Sequence, residues 1–305
     1  MRLTCFHLAL GCVLGLTLGA ADKPFEVKVG EAIPAKIIYT DHLGPFKHDL
    51  PAVLPMVVVS FQTQATEKGN SAMGIFTSGT KEYTLDGISP ALMQKITDQV
   101  QEALEAELKA GGWQIIPAEK AMELDAYKAW AKSPDPSGDE VKRAFFSKGK
   151  GTNTLSSKEM ERVFVGGKHP LVGNGVVLGG WMGAPAICKL GQALNAKVIL
   201  FRALVNFANI EAGKRGLFTG RQTWKSSTIL EVSYAELDVY PPDASGATPA
   251  RLHTEVPVTM LSDFITDDKH EGSHHTLMAD PERYEKDTVE ALRAVAKGFV
   301  AVSNK

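Results

Sequence analysis

The sequence Met56-Val57-Val58-Val59-Ser60-Phe61 decides the fold prediction, because a β-branched run after Pro55 is typical of a strand buried on both faces. A helix is predicted next, beginning at the cap Ser89-Pro90 and ending at Gly111-Gly112. Its apolar side chains recur every four residues, at Leu92, Ile96, Val100, Leu104 and Leu108. A buried strand followed by an amphipathic helix favours a sheet covered by helices.

Later segments continue this alternation. Residues 113–116 predict a short strand, and residues 118–131 and 186–194 predict helices. Three further extended runs, at 196–201, 228–240 and 252–264, predict strands, with a bulge near Ala235 where the apolar face switches. Asp280-Pro281-Glu282 begins a final helix. The order of elements predicts an α/β (α+β) fold with a mixed β-sheet covered by helices.

The chain of 305 residues divides into three parts by pattern, and the third contains an insertion. We expect a signal peptide at 1–21, an N-terminal extension lying on the domain at 22–55, and a single α/β domain at 56–302. Within that domain, residues 133–185 are expected to form an irregular insertion, because seven glycines fall between Gly166 and Gly183 and no regular period is visible.

The N-terminal residues have the layout of a secretory signal. Arg2 precedes an apolar run from Leu8 to Leu18, and Gly19-Ala20-Ala21 supplies the small residues that a signal peptidase requires. No later segment reaches the ~20 apolar residues of a spanning helix, so we expect no transmembrane helix in the mature chain. Lipid attachment at Cys12 is an alternative. It is disfavoured because the apolar core before Cys12 would be very short.

Composition excludes several classes of protein. A formal net charge of -2 with interspersed signs gives no reason to expect binding to nucleic acid. Only Cys188 would remain after cleavage at residue 21, and its apolar surroundings predict a buried, inert thiol. The sequence contains no nucleophile elbow, phosphate loop or dinucleotide fingerprint.

The sequence His270-Glu271-Gly272-Ser273-His274 matches the H-E-x-x-H motif of zinc peptidases. In those enzymes a helix brings both histidines to one face, and the glutamate acts as the base. Here Gly272-Ser273 and the charged residues 267–269 predict an exposed loop instead. A zinc-dependent hydrolase, with Glu271 catalytic and zinc as its cofactor, is therefore the alternative function. Incidental binding of a divalent ion by His270, His274 and His275 is favoured over it.

A second candidate site is a basic and aromatic segment between two predicted strands. Its members are Lys214, Arg215, Phe218, Arg221, Trp224 and Lys225. A solvated hairpin tip is the commoner meaning of such a pattern. The same residues are our candidates for contact with a protein partner or with an anionic headgroup at the outer-membrane periphery.

Three stretches carry a resemblance to a known family. They are the strand Val57 to Phe61 with its polar continuation to Gln64, the helix, glycine stop and short strand from Ala103 to Pro117, and the helix running into a strand from Leu190 to Leu200. These stretches resemble the periplasmic domain of the curli-secretion (CsgG) family and the related N-terminal domain of TolB-type proteins. The resemblance implies a non-catalytic, exported, envelope-associated domain that binds another protein or itself.

The family's pore function is not carried over. The sequence lacks a convincing lipid-attachment cysteine, and its candidate membrane hairpin, residues 204–240, holds four basic residues near the middle. We therefore predict a non-catalytic envelope protein of the bacterial periplasm or outer-membrane periphery, without a cofactor, acting in assembly, transport or protein binding. An oligomeric CsgG-like secretion pore is the second alternative.

Overall fold

A computed structural model describes residues 24–41, 46–68, 80–131, 142–143, 160–166, 184–207, 209–215, 222–227, 229–242 and 249–304. The strands are β1 Phe25–Glu26, β2 Ile38–Asp41, β3 Ala52–Lys68, β4 Thr80–Asp86, β5 Ile115–Ile116, β6 Lys142–Arg143, β7 Met160–Gly166, β8 Lys197–Asn206, β9 Asn209–Arg215, β10 Gln222–Ser227, β11 Ile229–Tyr240, β12 Ala250–Thr254, β13 Val258–Leu261, β14 Ile265–Glu271 and β15 His274–Ala279. The helices are α1 Pro90–Ala110, α2 Ala118–Met122, α3 Asp125–Ala131, α4 Ala184–Leu194 and α5 Pro281–Ser303.

Strand β3 lies at the centre of the sheet. It pairs parallel with β8 over residues 52–61 and antiparallel with β7 over residues 58–65, so these two partners occupy opposite edges of β3. Beyond the end of β8, residues 64–68 pair antiparallel with β4. The main path runs β1-β13-β11-β8-β3-β4-β15-β14, and it contains both parallel and antiparallel neighbours. The predicted α/β class with a mixed sheet is confirmed.

Helices α1 and α5 cover one face of this sheet. Every second residue of the central strands faces them, including Val57, Phe61 and Phe201, which are all fully buried. Phe201 meets Phe299 of α5 edge to face, with ring centroids 6.3 Å apart. Burial of each such side chain stabilises the fold by about 1.5–3 kcal/mol, so this face supplies most of the apolar stabilisation.

Local capping explains where the two long helices begin. The Ser89 hydroxyl accepts a hydrogen bond from the Leu92 amide at 3.2 Å, and the Asp280 carboxylate accepts two from the first turn of α5. Pro90 and Pro281 occupy the first helical positions, where no amide hydrogen is needed. Both predicted helix starts are confirmed.

The opposite face of the sheet carries a smaller apolar cluster under α2, α3 and α4. Met56, Leu200 and Tyr240 contribute to it from three neighbouring strands. Cys188 of α4 is buried in the same cluster, which confirms the predicted burial of its thiol. Among the described residues, no helix combines the length and the apolarity needed to cross a membrane.

The first described segment packs against the last helix and is hydrogen-bonded to it. The Ile33 amide donates to the Ala294 carbonyl at 3.1 Å, and Gly298 of α5 lies directly beneath Ile33. A Cβ atom at position 298 would lie 2.7 Å from the Ile33 carbonyl oxygen, closer than van der Waals contact permits. Glycine is therefore required at this position by close packing and not by backbone conformation.

The sheet differs from the predicted one at its margins. Residues 62–68 continue β3 beyond the predicted strand, because backbone pairing with β7 and β4 holds them despite their mostly polar side chains. Residues 24–55 supply β1 and β2, which pair with β13 and β12, so the segment belongs to the sheet and does not merely lie on it. The predicted strand at 252–264 is two strands, β12 and β13.

Parts of the predicted organisation fall on residues that the structure does not describe. The signal peptide at 1–21, including Cys12, lies outside the described residues. Within the insertion at 133–185, the described residues 160–166 form β7 and join the sheet, and residues 142–143 pair with them as β6.

Candidate functional site

The H-E-x-x-H sequence lies in a β-hairpin. Strands β14 and β15 are joined by Gly272-Ser273, and Gly272 adopts the left-handed conformation with φ 63°. His270 lies directly opposite His275, and Glu271 lies directly opposite His274. The predicted exposed loop is therefore wrong in its secondary structure. Solvent reaches residues 270–274 nonetheless, because β14 is the outermost strand.

Strand alternation separates the residues of the zinc-peptidase motif. Directly opposed residues share a face of the sheet, and successive residues point to opposite faces. His270 therefore lies on one face with His275, while Glu271 and His274 lie on the other. Because the peptidase mechanism needs His270 and His274 on one metal, this register does not favour a hydrolase built on those residues.

The structure instead brings together Asp268, His270 and His275, which we call the Asp268 cluster. One potential ligand atom from each residue lies within 4.8 Å of the other two. The Nδ1 atom of His275 is 2.9 and 3.0 Å from the two carboxylate oxygens of Asp268. The rings of His270 and His275 stack with centroids 5.4 Å apart.

His275 is the anchored member of this cluster. Only 9% of its surface is exposed, and its ring stacks on that of Tyr83 at 4.8 Å with an interplanar angle of 23°. Tyr83 lies directly opposite His275 in the parallel pairing of β4 with β15. Asp268 and His270 are exposed, so the cluster has one fixed and two adjustable side chains.

His274 makes a separate contact on the other face. Its Nδ1 atom is 2.8 Å from the Glu82 carboxylate of β4, and both side chains are more than half exposed. Exposed pairs of this kind contribute at most about 1 kcal/mol, because solvent screens the interaction.

A buried ion-pair network occupies the middle of the sheet, on the face away from α1 and α5. Arg202 of β8 contacts both Glu236 and Asp238 of β11, and its Asp238 contact measures 2.7 Å. Arg251 of β12 forms a two-pronged pair with Asp238 at 2.7 and 3.1 Å. The Tyr234 hydroxyl donates to Glu236 at 2.6 Å. We call Arg202, Glu236, Asp238 and Arg251 the ion-pair network.

Strand register places these charges on two neighbouring rungs of one face of the sheet. Glu236 lies opposite Arg202 on one side and His253 on the other, and Asp238 lies opposite Arg251. Two arginines balance two carboxylates, so the network is electrically neutral. This compensation is what permits the complete burial of Asp238, since an unpaired buried carboxylate would be strongly destabilising.

The carboxylates of the network raise the pKa of its two arginines, and burial raises the pKa of the neighbouring Tyr234. Burial disfavours the charge of Arg202, but Glu236 and Asp238 outweigh burial and raise the Arg202 pKa. Hydrogen bonding to Asp238 is the main cause that raises the pKa of Arg251. Burial raises the pKa of Tyr234, and the Glu236 charge adds to this effect. None of these three groups exchanges a proton near neutral pH, as a general acid or base must.

The basic segment of the sequence lies in a two-stranded ribbon. Strands β9 and β10 pair antiparallel with each other and form their own sheet, at the end of the neighbouring strands β8 and β11. Lys214 and Arg215 end β9, and Trp224 and Lys225 lie in β10. Phe218 and Arg221 lie outside the described residues. We call β9 and β10, residues 209–215 and 222–227, the ribbon.

No model of a known protein family matches the chain, and no curated protein matches it with significance. Any statement about function therefore depends on the geometry and charge of this chain.

The ion-pair network was not predicted, although the sequence contains a signal for it. Arg202 interrupts the apolar run 198–205, and Glu236 and Asp238 alternate with Leu237 and Val239 in β11. A charge at an inward position of a buried strand requires an opposite charge on its neighbour. That rule indicates a pairing of β8 with β11, yet it does not identify the register.

Proposed function

We propose that this protein is a non-catalytic, exported protein of the bacterial cell envelope that binds an acidic surface of a partner protein through the ribbon. The observation that carries the proposal is the ribbon's isolation: within the described residues, β9 and β10 pair only with each other, whereas the other thirteen strands share one sheet.

A two-stranded ribbon that pairs with no other strand is expected to be stabilised by binding a partner. A lone two-stranded hairpin is marginally stable in water, because it lacks a second layer against which to bury its side chains. Such a ribbon gains stability when another surface covers it.

Charge indicates the chemistry of the partner. Residues 209–227 contain four basic side chains and one acidic one, a balance of +3, whereas the whole chain has a net charge of -2. Residues 209–227 are therefore locally basic within a chain that is slightly acidic as a whole. Opposite charges on a partner would accelerate association and orient the complex.

The interior of the protein supports a role without chemistry. The ion-pair network is neutral and largely buried, and each of its carboxylates pairs with one or both of its arginines. In the H-E-x-x-H segment, the register places the two histidines on opposite faces. We therefore propose binding, and not hydrolysis, as the function.

Site-specific crosslinking tests this proposal. A photoreactive amino acid at Trp224, in the protein expressed in its host envelope, is expected to give one defined adduct with another protein. The variant K214E/R215E/K225E should abolish the adduct, because it changes the ribbon's charge by −6. The matched control K28E/K36E/K120E reverses three exposed lysines elsewhere and should leave the adduct intact.

Other outcomes would overturn the proposal. An adduct that survives the ribbon reversal contradicts the role of its charge, and adducts only between copies of the chain indicate self-association. Cosedimentation of the purified protein with vesicles of anionic phospholipid, without a protein adduct, would indicate headgroup binding. A large ring in detergent extracts would indicate the secretion-pore alternative.

A further inference from the structure

We propose that the Asp268 cluster binds one divalent transition-metal ion, for which Zn²⁺ is the reference, through Asp268, His270 and His275. This site is independent of the ribbon. It also differs from the H-E-x-x-H alternative, since it replaces His274 and Glu271 with Asp268 and His275.

Backbone register alone brings the three ligands to one place. His270 and His275 are directly opposed, and Asp268 precedes His270 by two residues on the same strand. All three therefore share one face of the hairpin, with Cβ atoms of the opposed pair about 4.5–5.5 Å apart. Leu277 and Ala279 follow on the same face of β15 and are buried in the main core, so the cluster lies just beyond the core's margin.

The distances suit a first-row transition ion. Zinc takes nitrogen and oxygen ligands at about 2.0–2.2 Å, which in tetrahedral geometry places ligand atoms about 3.4 Å from one another. The present separations of at most 4.8 Å need only side-chain rotation to close. Asp268 and His270 are exposed and can rotate, while Tyr83 holds His275 in place.

The donor set selects the kind of metal. Two imidazoles and one carboxylate suit zinc, copper, nickel or ferrous iron, whereas calcium and magnesium require mostly oxygen ligands. Three protein ligands leave at least one coordination position for solvent. A bound ion would join the outermost strand β14 to β15 and would stabilise the hairpin by the free energy of metal binding.

The competing explanation is an ordinary ion pair between His275 and Asp268, with His270 merely stacked beside it. The two explanations differ in what they predict for His270. A ligand is needed for metal affinity, whereas a stacked neighbour is not.

Titration calorimetry with Zn²⁺ on the purified protein, without a polyhistidine tag, tests the site. We expect one ion per chain in the native protein, with micromolar affinity. H270A and D268N should each weaken binding by at least about tenfold, because loss of even a supporting group at metal sites has that effect. Both residues are exposed, so these variants should fold. H274A is the matched control on the opposite face and should change the affinity less than twofold.

Three results would overturn the proposal. They are binding no tighter than millimolar in the native protein, native-like binding by H270A, and a loss in H274A equal to that in H270A. The last result would support the H-E-x-x-H set instead. The ribbon variant K214E/R215E/K225E should bind Zn²⁺ like the native protein, so failure of the proposed partner binding would leave this test unaffected.

Discussion

Replacing Asp238 by asparagine should destabilise the protein strongly. Asp238 is completely buried and receives hydrogen bonds from both Arg202 and Arg251. The substitution preserves the size of the side chain but removes its charge. Two guanidinium groups then share the single carboxylate of Glu236, which leaves one positive charge uncompensated in the interior of the sheet.

The magnitude follows from the burial of each partner. Removing one member of a buried ion pair costs about 3–5 kcal/mol, because the remaining charge stays desolvated. Arg202 is almost inaccessible, so water cannot compensate for its lost partner. The Arg251 side chain is 34% exposed and recovers part of its hydration. We therefore expect D238N to lower the free energy of unfolding by about 3 kcal/mol, near the lower end of that range.

Urea unfolding followed by circular dichroism measures this loss as a lower midpoint at an unchanged slope. The matched control is D263N, which breaks the exposed Asp263–Arg283 pair of 3.0 Å and should cost less than about 1 kcal/mol. In a double-mutant cycle, R251M should cost less in the D238N background than in the native protein. Equal losses in D238N and D263N, or strictly additive losses in the cycle, would refute the reasoning about the ion-pair network.

Three further predictions concern packing, capping and pH. G298A should lower the free energy of unfolding by about 1–3 kcal/mol through overpacking against Ile33, although the same change in an open helix is stabilising; a more stable variant in urea unfolding would contradict the close contact. S89A should cost about 1 kcal/mol in the same assay, since it removes the cap of α1; an unchanged midpoint would contradict the cap. Burial raises the pKa of Tyr127 from 10.0 to about 12, so its contribution to stability is complete below pH 10 and is lost as the pH rises towards 12. Y127F should therefore reduce alkaline destabilisation in urea titrations between these values, and an identical pH profile would argue against the shift.

Elements whose sequence signals lie within one continuous segment were predictable from the sequence. The α1 helix follows from Ser89, Pro90 and a regular apolar spacing, all within one stretch of chain. The same holds for α5 and for the bulge of β11, which lies between Val232 and Tyr234. These features depend on neighbours in sequence, so a single sequence suffices to place them.

Elements that depend on distant pairing were not predictable. The polar residues 62–68 belong to β3 because β4 and β7 supply hydrogen-bonding partners, and their side chains carry no strand pattern. The candidate metal cluster shows the same limit. The spacing of His270 and His274 suggested a helix motif, while the hairpin register pairs His270 with His275. Gly272-Ser273, as a two-residue hairpin turn with glycine first, was the overlooked signal.

The contacts of the N-terminal segment with β13 and α5 affect the order in which the protein can fold. Phe25 pairs with Val258, and the Ile33 amide donates to the Ala294 carbonyl. Both partners lie more than two hundred positions later in the sequence. Loop closure over such separations makes folding slow, and a fragment that lacks α5 cannot form the contact between Ile33 and Ala294. The nascent chain therefore leaves β1 and Ile33 without these partners until β13 and α5 have been synthesised.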